Sequence, residues 1–566
     1  MAATSPNRIV IIGGVAGGMS SATRLRRLNE QFRITVIEKD SYISSATCGL
    51  PYALGGVIED REKLHVQSAD KISAWFNIDI MTNTEAVEIH RESKQVAVRA
   101  VKTDGSHVDE NVHRLSYDKL IIATGAEAIY PKIEGIHSEN VFTLRTISDL
   151  EHVQAYMANH QVKHVAVIGG GFIGLEAVEN LVNLGLDVTL LEYLPQVMPN
   201  IDVDIAEFLH SELISNGVKL SLDARIVKIH EPKPSAQGYV SLSSGEQIAA
   251  DIVILAAGIQ PRTELAEKAG LVVSRSGIDV HDTLQTSDPD IYAIGDVIGT
   301  TNIISNETRN LALGGPANRQ GRLAADHISG RLVRYRGHTG TFVCQVFNLT
   351  VAAVGLNPNN LNRLCKKFEY VTVHPPDHAA YYPGATPITL RVAFDASSGK
   401  LFGAQAVGKK GVDKRIDVIA TAIRAGMTVG DLQDLELAYA PPYASAKDPI
   451  NMAGFVGTNV VIGDVKILHP STLEKLRSPQ IIDVRSPEEY GRGYIKGAVN
   501  IPLGDLRQRC EELSKAKRTL VYCHVGYRGY LAYRILKQHG FEHLFNLDGG
   551  YKLVSEGGFR HLTTLQ

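Results

Sequence analysis

Short apolar runs that end in glycine recur along this chain, and helical patterns follow them. Arg8–Ile12 runs into Gly13-Gly14-Val15-Ala16-Gly17-Gly18, a 3.6-period pattern continues to about Leu28, and a second apolar run, 34–38, ends on Glu38. The same grammar returns at His164–Ile168, then Gly169-Gly170-Gly171-Phe172-Ile173-Gly174, a helical stretch to about Leu184, and a run at 188–192 that ends on Glu192. Continuous apolar runs of this length, bounded by glycine and alternating with helices, predict buried parallel strands and an α/β fold. Leu120-Ile121-Ile122-Ala123-Thr124-Gly125 and the run at 252–258 are matching strands that end in small residues. A further strand, 291–296, lies beyond the second unit and reads as the first domain resuming around an insertion. This predicts one discontinuous domain over 1–150 and 280–334, and a second over 151–279. Residues 335–455 mix strand-like pieces (341–346, 389–394) with one clear helix, 413–424, and predict an α+β domain. Pro441-Pro442 and the polar stretch 445–449 mark its ending. From about 462 a new α/β pattern begins, with strands at 481–484 and 519–522 and a helix from Gly529 to about His539, which predicts a last domain over 462–566.

Each glycine-rich turn sits where chemistry is expected. Glycines let the backbone approach a pyrophosphate, and a helix N-terminus presents free N–H groups and partial positive charge to it. An acid at the end of the second strand can bond ribose hydroxyls. Strand, turn, helix, strand and acid together make a dinucleotide fingerprint far stronger than the glycines alone. The first unit is carried by Gly13, Gly14, Ala16, Gly17 and Glu38, the second by Gly169, Gly171, Gly174 and Glu192. Glu192 is followed by Tyr193 and Leu194, with no adjoining arginine. It should accept a bond from a ribose 2′-OH and repel a 2′-phosphate, which favours NADH over NADPH.

Composition narrows the setting. The 566 residues are 44% apolar and 21% charged with net charge −3, which gives no reason to expect nucleic acid or a membrane surface as a partner. No apolar run reaches the roughly 20 residues that span a bilayer, and Ile9–Ile12 reads as a strand, not a signal sequence. Five cysteines in so long a chain make no disulfide framework, so a reducing, cytoplasmic setting fits best. No Cys or His spacing suggests a metal.

One of those cysteines stands in the run Ser44-Ser45-Ala46-Thr47-Cys48-Gly49-Leu50-Pro51-Tyr52. Gly49 and Pro51 suit the start of a helix there. This run after the first fingerprint, Ala123-Thr124-Gly125, and Tyr292-Ala293-Ile294-Gly295-Asp296 resemble the pyridine-nucleotide disulfide reductases. Within them the chain is similar to coenzyme A disulfide reductases fused to a rhodanese domain. The resemblance implies FAD in the first nucleotide domain and NADH in the second, with Thr124, Gly125, Gly295 and Asp296 among the flavin contacts. Members with two redox cysteines carry the second five positions on, where this chain has Ala53. One protein thiol then works against flavin, and the other sulfur comes from substrate. Cys48 is either a stable sulfenic acid, as in NADH oxidase or peroxidase, or a thiol cycling through a mixed disulfide with coenzyme A (CoA).

Ser20, Arg24 and Arg27 lie at i, i+4 and i+7, on one helix face. They match the family's CoA-contacting face, as do Ser44 and Thr47, although the family often has Gln at the Arg24 position and Asn at the Thr47 position. Guanidinium groups there can hold CoA phosphates; a solvated face is the competing reading. The segments 378–384 and 438–443 resemble the family's two tyrosine segments, which reach into the partner subunit's site and so imply a homodimer. Spacing matches Tyr381 and Tyr439, with Tyr382 and Tyr443 as rivals, and a phenol there can donate a proton to a leaving thiolate. Lys447 resembles a CoA-phosphate contact. The His-Pro proton donor of glutathione reductase is absent from this region.

Near the C-terminus, Cys523-His524-Val525-Gly526-Tyr527-Arg528 follows a strand and precedes a helix. Such a loop aims backbone N–H groups at sulfur and can hold a persulfide anion. With Asp483-Val484-Arg485, the stretch 493–502 and Asp548-Gly549-Gly550-Tyr551, it resembles the rhodanese family's blocks in order. The resemblance makes Cys523 and Arg528 catalytic, in a loop too short for the phosphate of related phosphatases. Cys344, Cys365 and Cys510 stand in no motif, and Cys510, between Arg509 and Glu511, reads as a helix-surface residue. The resulting expectation is an NADH- and FAD-dependent reductase of CoA persulfide, polysulfide or CoA disulfide, with rhodanese sulfur transfer. The alternatives are a CoA disulfide reductase for thiol balance, an NADH oxidase or peroxidase, and a sulfane-sulfur delivery module.

Overall fold

The computed structural model describes residues 7–102, 106–108, 111–233 and 236–564. It divides into two compact units, one holding residues up to 193 with 224–338, the other 194–223 with 339 onward.

In the first unit a parallel sheet has the order Ile291–Ala293, Lys119–Ile122, Arg8–Ile12, Arg33–Ile37, Asp79–Met81. Its central strands are buried on both faces (Ile9, Ile11 and Leu120 to Ile122 are fully covered), which is why their sequence is continuously apolar and does not alternate. The strand Ile291–Ala293, far along the chain, pairs with Lys119–Ile122, so the chain returns to this sheet. The helices Ala16–Leu28 and Gly314–Ile328 pack closely because Gly321 lets them; a Cβ there would stand 2.4 Å from the Gly17 carbonyl oxygen. A second parallel sheet places His164–Ile168 between Asp187–Leu191 and Ile252–Leu255.

The second unit starts from an antiparallel sheet in the order Phe342–Val346, Leu349–Gly355, Leu401–Gly408, Thr389–Asp395, Phe368–Val373. The helix Val412–Ala425 packs on it, and so does Pro449–Val461, which starts at the last residue of the polar stretch 445–449. Asp448 caps that helix in a capping box with Asn451, and Pro449 occupies the first turn, where a missing N–H costs nothing. The helix Val203–Ser215 also belongs to this unit: Asp202 and Asp204 hold the buried Arg391 guanidinium at 2.5–2.8 Å. A second, parallel sheet follows in the order Ile467–Leu468, Leu544–Leu547, Thr519–Tyr522, Gln480–Asp483, Ala498–Asn500. The edge strand Phe368–Val373 uses the Thr372 N–H to donate to Asp548 Oδ1 at 2.7 Å, so part of its open edge is satisfied from the C-terminal domain. No helix among the described residues is long and apolar enough to cross a membrane.

Candidate functional site

The two glycine turns are built alike. Gly13 and Gly169 have positive φ (104° and 108°), and a Cβ at either would stand 2.2–2.3 Å from a carbonyl oxygen, that of Ala123 or Ala256. Thr124 and Gly125 follow at the end of Lys119–Ile122, with Gly125 also at positive φ (70°). A Cβ at Gly18 or Gly174 would stand under 2 Å from the carbonyl oxygen of the first glycine of its own turn. The motif reading took Gly17 and passed over Gly18, which is the structural counterpart of Gly174. The acids also correspond. Gly14 N–H donates to Glu38 Oε2 at 2.7 Å, and Gly170 N–H to Glu192 Oε2 at 2.6 Å. Burial pushes the Glu38 carboxyl up.

Cys48 is exposed in a 3-10 turn, Thr47–Gly49, that leads into the short helix Leu50–Leu54. Its loop is fastened at both ends. Ser44, at φ 50°, donates its N–H to Gly14 O at 2.8 Å, inside the first glycine turn. At the other end Tyr52 Oη donates to Glu176 Oε1 at 3.2 Å, on the helix Phe172–Asn183 that opens from the second glycine turn. The thiol is therefore held between the two nucleotide units. Burial raises the Glu176 carboxyl, and the Tyr52 bond opposes that. Glu176 was missed from the sequence, although it stands two positions after Gly174.

Of the residues expected on a CoA-facing helix surface, Ser20 bonds Asn318 and Arg24 is taken by Asp326 at 2.7–2.9 Å, both on Gly314–Ile328. Arg27 remains exposed, with its Nε on the Thr23 carbonyl oxygen. The one-face reading holds for Ser20 and Arg24, but that face packs against a helix.

In the second unit Tyr381 and Tyr439 meet hydroxyl to hydroxyl at 3.1 Å, both exposed. That bond to Tyr439 raises the Tyr381 phenol. Tyr382 instead meets His378 edge-on, and Tyr443 lies 75% exposed. Buried Arg415 donates to Asp377 O at 2.7 Å, one residue before the first tyrosine segment, and to Asp448 Oδ2 at 2.8 Å, five residues after the second. Lys447, beside Asp448, is exposed.

Cys523 is buried at the end of the strand Thr519–Tyr522, where its Sγ accepts the Gly526 N–H at 3.2 Å. Gly526 reaches this pose at φ 97° and opens the helix Tyr527–Gln538, two residues earlier than expected. The turn 548–551 backs the loop: Tyr551 N–H donates to Cys523 O at 2.8 Å and Lys552 N–H to His524 O at 2.9 Å. That turn is gripped in its own right by His374, whose Nε2 bonds Gly549 O at 3.0 Å and whose Nδ1 bonds Thr389 at 2.9 Å. His469 bridges Glu369 (2.6 Å) and Asp548 (3.5 Å). Burial holds His374 down at about 3. For His469 burial also works downward, but Asp548 and Glu369 overcome it and raise the ring to about 9. Arg528 reaches Glu489 with both terminal nitrogens at 2.7 Å. Cys510 is buried, not at a helix surface as expected, with its Sγ 3.6 Å from His539 Nδ1. All five cysteines are free.

The pattern of the family described as pyridine nucleotide-disulphide oxidoreductase matches residues 7–321, that family's dimerisation domain matches 341–449, and the rhodanese-like domain matches 470–556. The chain belongs to the pyridine nucleotide-disulphide oxidoreductase family. A coenzyme A disulfide reductase of Staphylococcus haemolyticus is 34% identical over 450 residues, 79% of this chain and 98% of that one. The crystal structure of reduced Bacillus anthracis CoADR-RHD is 45% identical and superposes with a TM-score of 0.93 over 98% of each chain. An NAD-dependent persulfide reductase from A. fulgidus is 37% identical, with a TM-score of 0.88 over 96% of this chain and 99% of that one. The protein is an oxidoreductase with a C-terminal rhodanese domain.

The family implies FAD and a pyridine nucleotide, and the residues present fit both. The helices Ala16–Leu28 and Phe172–Asn183 have no side-chain cap and no acid in the first turn, which leaves their N–H groups for a pyrophosphate. Gly171 faces open space. Gly295, at φ 79°, donates its N–H to Gln320 at 2.7 Å and presents Asp296, whose carboxyl is raised by burial against the pull of Arg145. Gln320 was not read from the sequence; the signal was Gly314-Gly315-Pro316, a helix start resembling the other two.

Proposed function

We propose that this protein is an NADH- and FAD-dependent reductase of CoA persulfide, acting also on polysulfide and CoA disulfide, with a rhodanese domain that moves sulfane sulfur. The observation that carries this reading is one chain holding two unlike sulfur sites. Cys48 is exposed and has Ala53 where a second redox cysteine would stand; Cys523 is buried and backed by amides. The relatives named as CoA disulfide reductase and as persulfide reductase support it.

In this reading 1–150 with 280–334 binds FAD, 151–279 binds NADH, 335–455 forms a homodimer and 462–566 is the rhodanese domain, in a cytoplasmic protein. Bound FAD and NADH supply an electron pair to sulfur at Cys48. The Cys48 thiolate attacks the terminal sulfur of CoA–S–SH; the S–S bond breaks, CoA thiolate leaves, and sulfane sulfur stays on Cys48. Two electrons and a proton then release sulfide and restore the thiolate. Tyr381 and Tyr439 protonate the leaving thiolate. Exposed Arg27 and Lys447 hold CoA phosphates, Ser20, Ser44 and Thr47 line the path, and Arg24 joins by exchanging Asp326 for phosphate. Glu192 sets NADH over NADPH. Cys523, with Arg528, takes sulfane sulfur from a donor and passes it to CoA.

The test is anaerobic NADH oxidation with CoA persulfide and CoA disulfide compared by kcat/KM. A persulfide preference of tenfold or more, about 1.4 kcal/mol in transition-state binding, supports this reading. A disulfide preference overturns it in favour of thiol balance.

A further inference from the structure

The guanidinium at the end of the Cys523 loop is already engaged. Arg528 forms a two-pronged bond with Glu489, both contacts 2.7 Å. Glu489 is itself fixed, because it closes the capping box of the helix Pro487–Gly491, exchanging bonds with Ser486 at 3.0 and 3.2 Å. Two other cations act on the loop, and each is also matched. Arg485 lies against Asp483 at 2.6 Å with its guanidinium over the Tyr551 ring, and Lys552 is paired with Glu556. Burial disfavours the charged form of His524, and Lys552 and Arg485 add to that. The exposed positions of the loop are His524, Val525 and Tyr527, none of which adds a fixed positive charge. Three cations face three carboxylates, so the surroundings of Cys523 carry no surplus positive charge for a small dianion.

We propose that Glu489 determines which sulfur donors the Cys523 site accepts: by holding Arg528 it disfavours thiosulfate and leaves the site to persulfides carried on a larger thiol. The inference rests on the sulfur-transfer reading above and deepens it. With a persulfide donor, the Cys523 thiolate attacks the terminal sulfur of R–S–SH, the S–S bond breaks, and its electron pair leaves with R–S⁻. With thiosulfate the same attack expels sulfite, a dianion leaving a dianionic donor. That path needs a cation free to follow the charge, and a carboxylate fixed on Arg528 removes the one best placed. Glu489 is thus a positioning residue acting through Arg528.

The experiment uses the full FAD-loaded chain and its Glu489→Gln variant, with thiosulfate and glutathione persulfide as donors and cyanide as acceptor. NADH-driven CoA disulfide reduction serves as the control for folding. Glu489→Gln should raise kcat/KM for thiosulfate at least tenfold, mainly through KM, and the gain should shrink with added salt. The persulfide value should move less than threefold. A second variant, Arg528→Gln, should lower thiosulfate use below that of the unaltered protein. The proposal is overturned if the unaltered protein uses both donors within threefold of each other, or if Glu489→Gln shifts both in parallel, as a merely structural role would. Absence of turnover with either donor, or turnover that survives Cys523→Ser, overturns the sulfur-transfer reading itself.

Discussion

Cys48 and Cys523 are both sulfur nucleophiles in the proposed function, yet the fold treats them oppositely. Cys48 is exposed on a short turn whose two ends are tied to the two nucleotide units, at Gly14 and at Glu176. Cys523 is buried at a strand end, its sulfur on an amide and its loop backed by a turn that reaches the neighbouring domain through His374 and Asp548. A thiol that must meet a bulky substrate and an electron source needs access. A thiol that stores labile sulfur needs exclusion of water and fixed dipoles. Chemistry alone does not separate the two cysteines; their supports do.

The sharpest way to break this contrast is to remove each thiol separately. Cys48→Ser should lower NADH-driven reduction by on the order of a thousandfold or more, the scale of losing a covalent nucleophile. It should leave cyanide-accepted sulfur transfer within a factor of about two, and Cys523→Ser should do the reverse. Parallel loss of both activities in either variant would mean the sites are not separable.

The supports behind Cys523 come next. His374→Ala leaves Gly549 O and the Thr389 hydroxyl unsatisfied in a buried site, a cost of about 2–4 kcal/mol. Denaturant unfolding measures that cost, and His374→Gln should recover part of it. The same two histidines give stability a pH signature. His374, held at about 3 in the folded state against about 6.5 unfolded, withdraws stability as pH falls below 6.5. His469, raised to about 9, gives its stability in full below 6.5 and loses it as pH rises to about 9. Their joint contribution peaks near pH 6.5. His374→Gln should flatten the acid limb and His469→Gln the alkaline limb; unchanged limbs would refute this origin.

Smaller effects are expected at the tyrosines and at the nucleotide acid. Tyr381→Phe and Tyr439→Phe each break the 3.1 Å hydroxyl pair and should lower kcat for CoA disulfide by roughly tenfold to a hundredfold. Tyr382→Phe, with its ring against His378, should change it less than twofold. Glu192→Ala should narrow the NADH:NADPH ratio of kcat/KM by roughly tenfold, about 1.4 kcal/mol; an unchanged ratio would remove Glu192 from cofactor choice.

What could be read from the sequence was local. The glycine turns, the apolar strands and the two cysteine loops are specified by residues within about thirty positions of one another, where periodicity and turn chemistry operate. The features that escaped are carried by distant partners. Arg24 finds Asp326 302 positions away, and Tyr52 finds Glu176 124 away. His374 meets Gly549 across 175 positions, through an edge-strand contact that no sequence pattern announces. Cys510 sits between charged residues that suggest exposure, but its turn rotates the thiol inward against His539. The polar stretch 445–449 marks an ending in the sequence, and its last two residues are also a helix start, with Asp448 as the cap and Pro449 in the first turn.

The measurement that tests the account most directly is the anaerobic stoichiometry of sulfide released to NADH consumed, with CoA persulfide as substrate and the FAD-loaded Cys523→Ser protein as catalyst. If Cys48 alone performs the reduction, sulfide and NADH should match one to one, since each electron pair converts one persulfide to thiol and sulfide. NADH oxidation without matching sulfide, or loss of reduction when only Cys523 is removed, would contradict it.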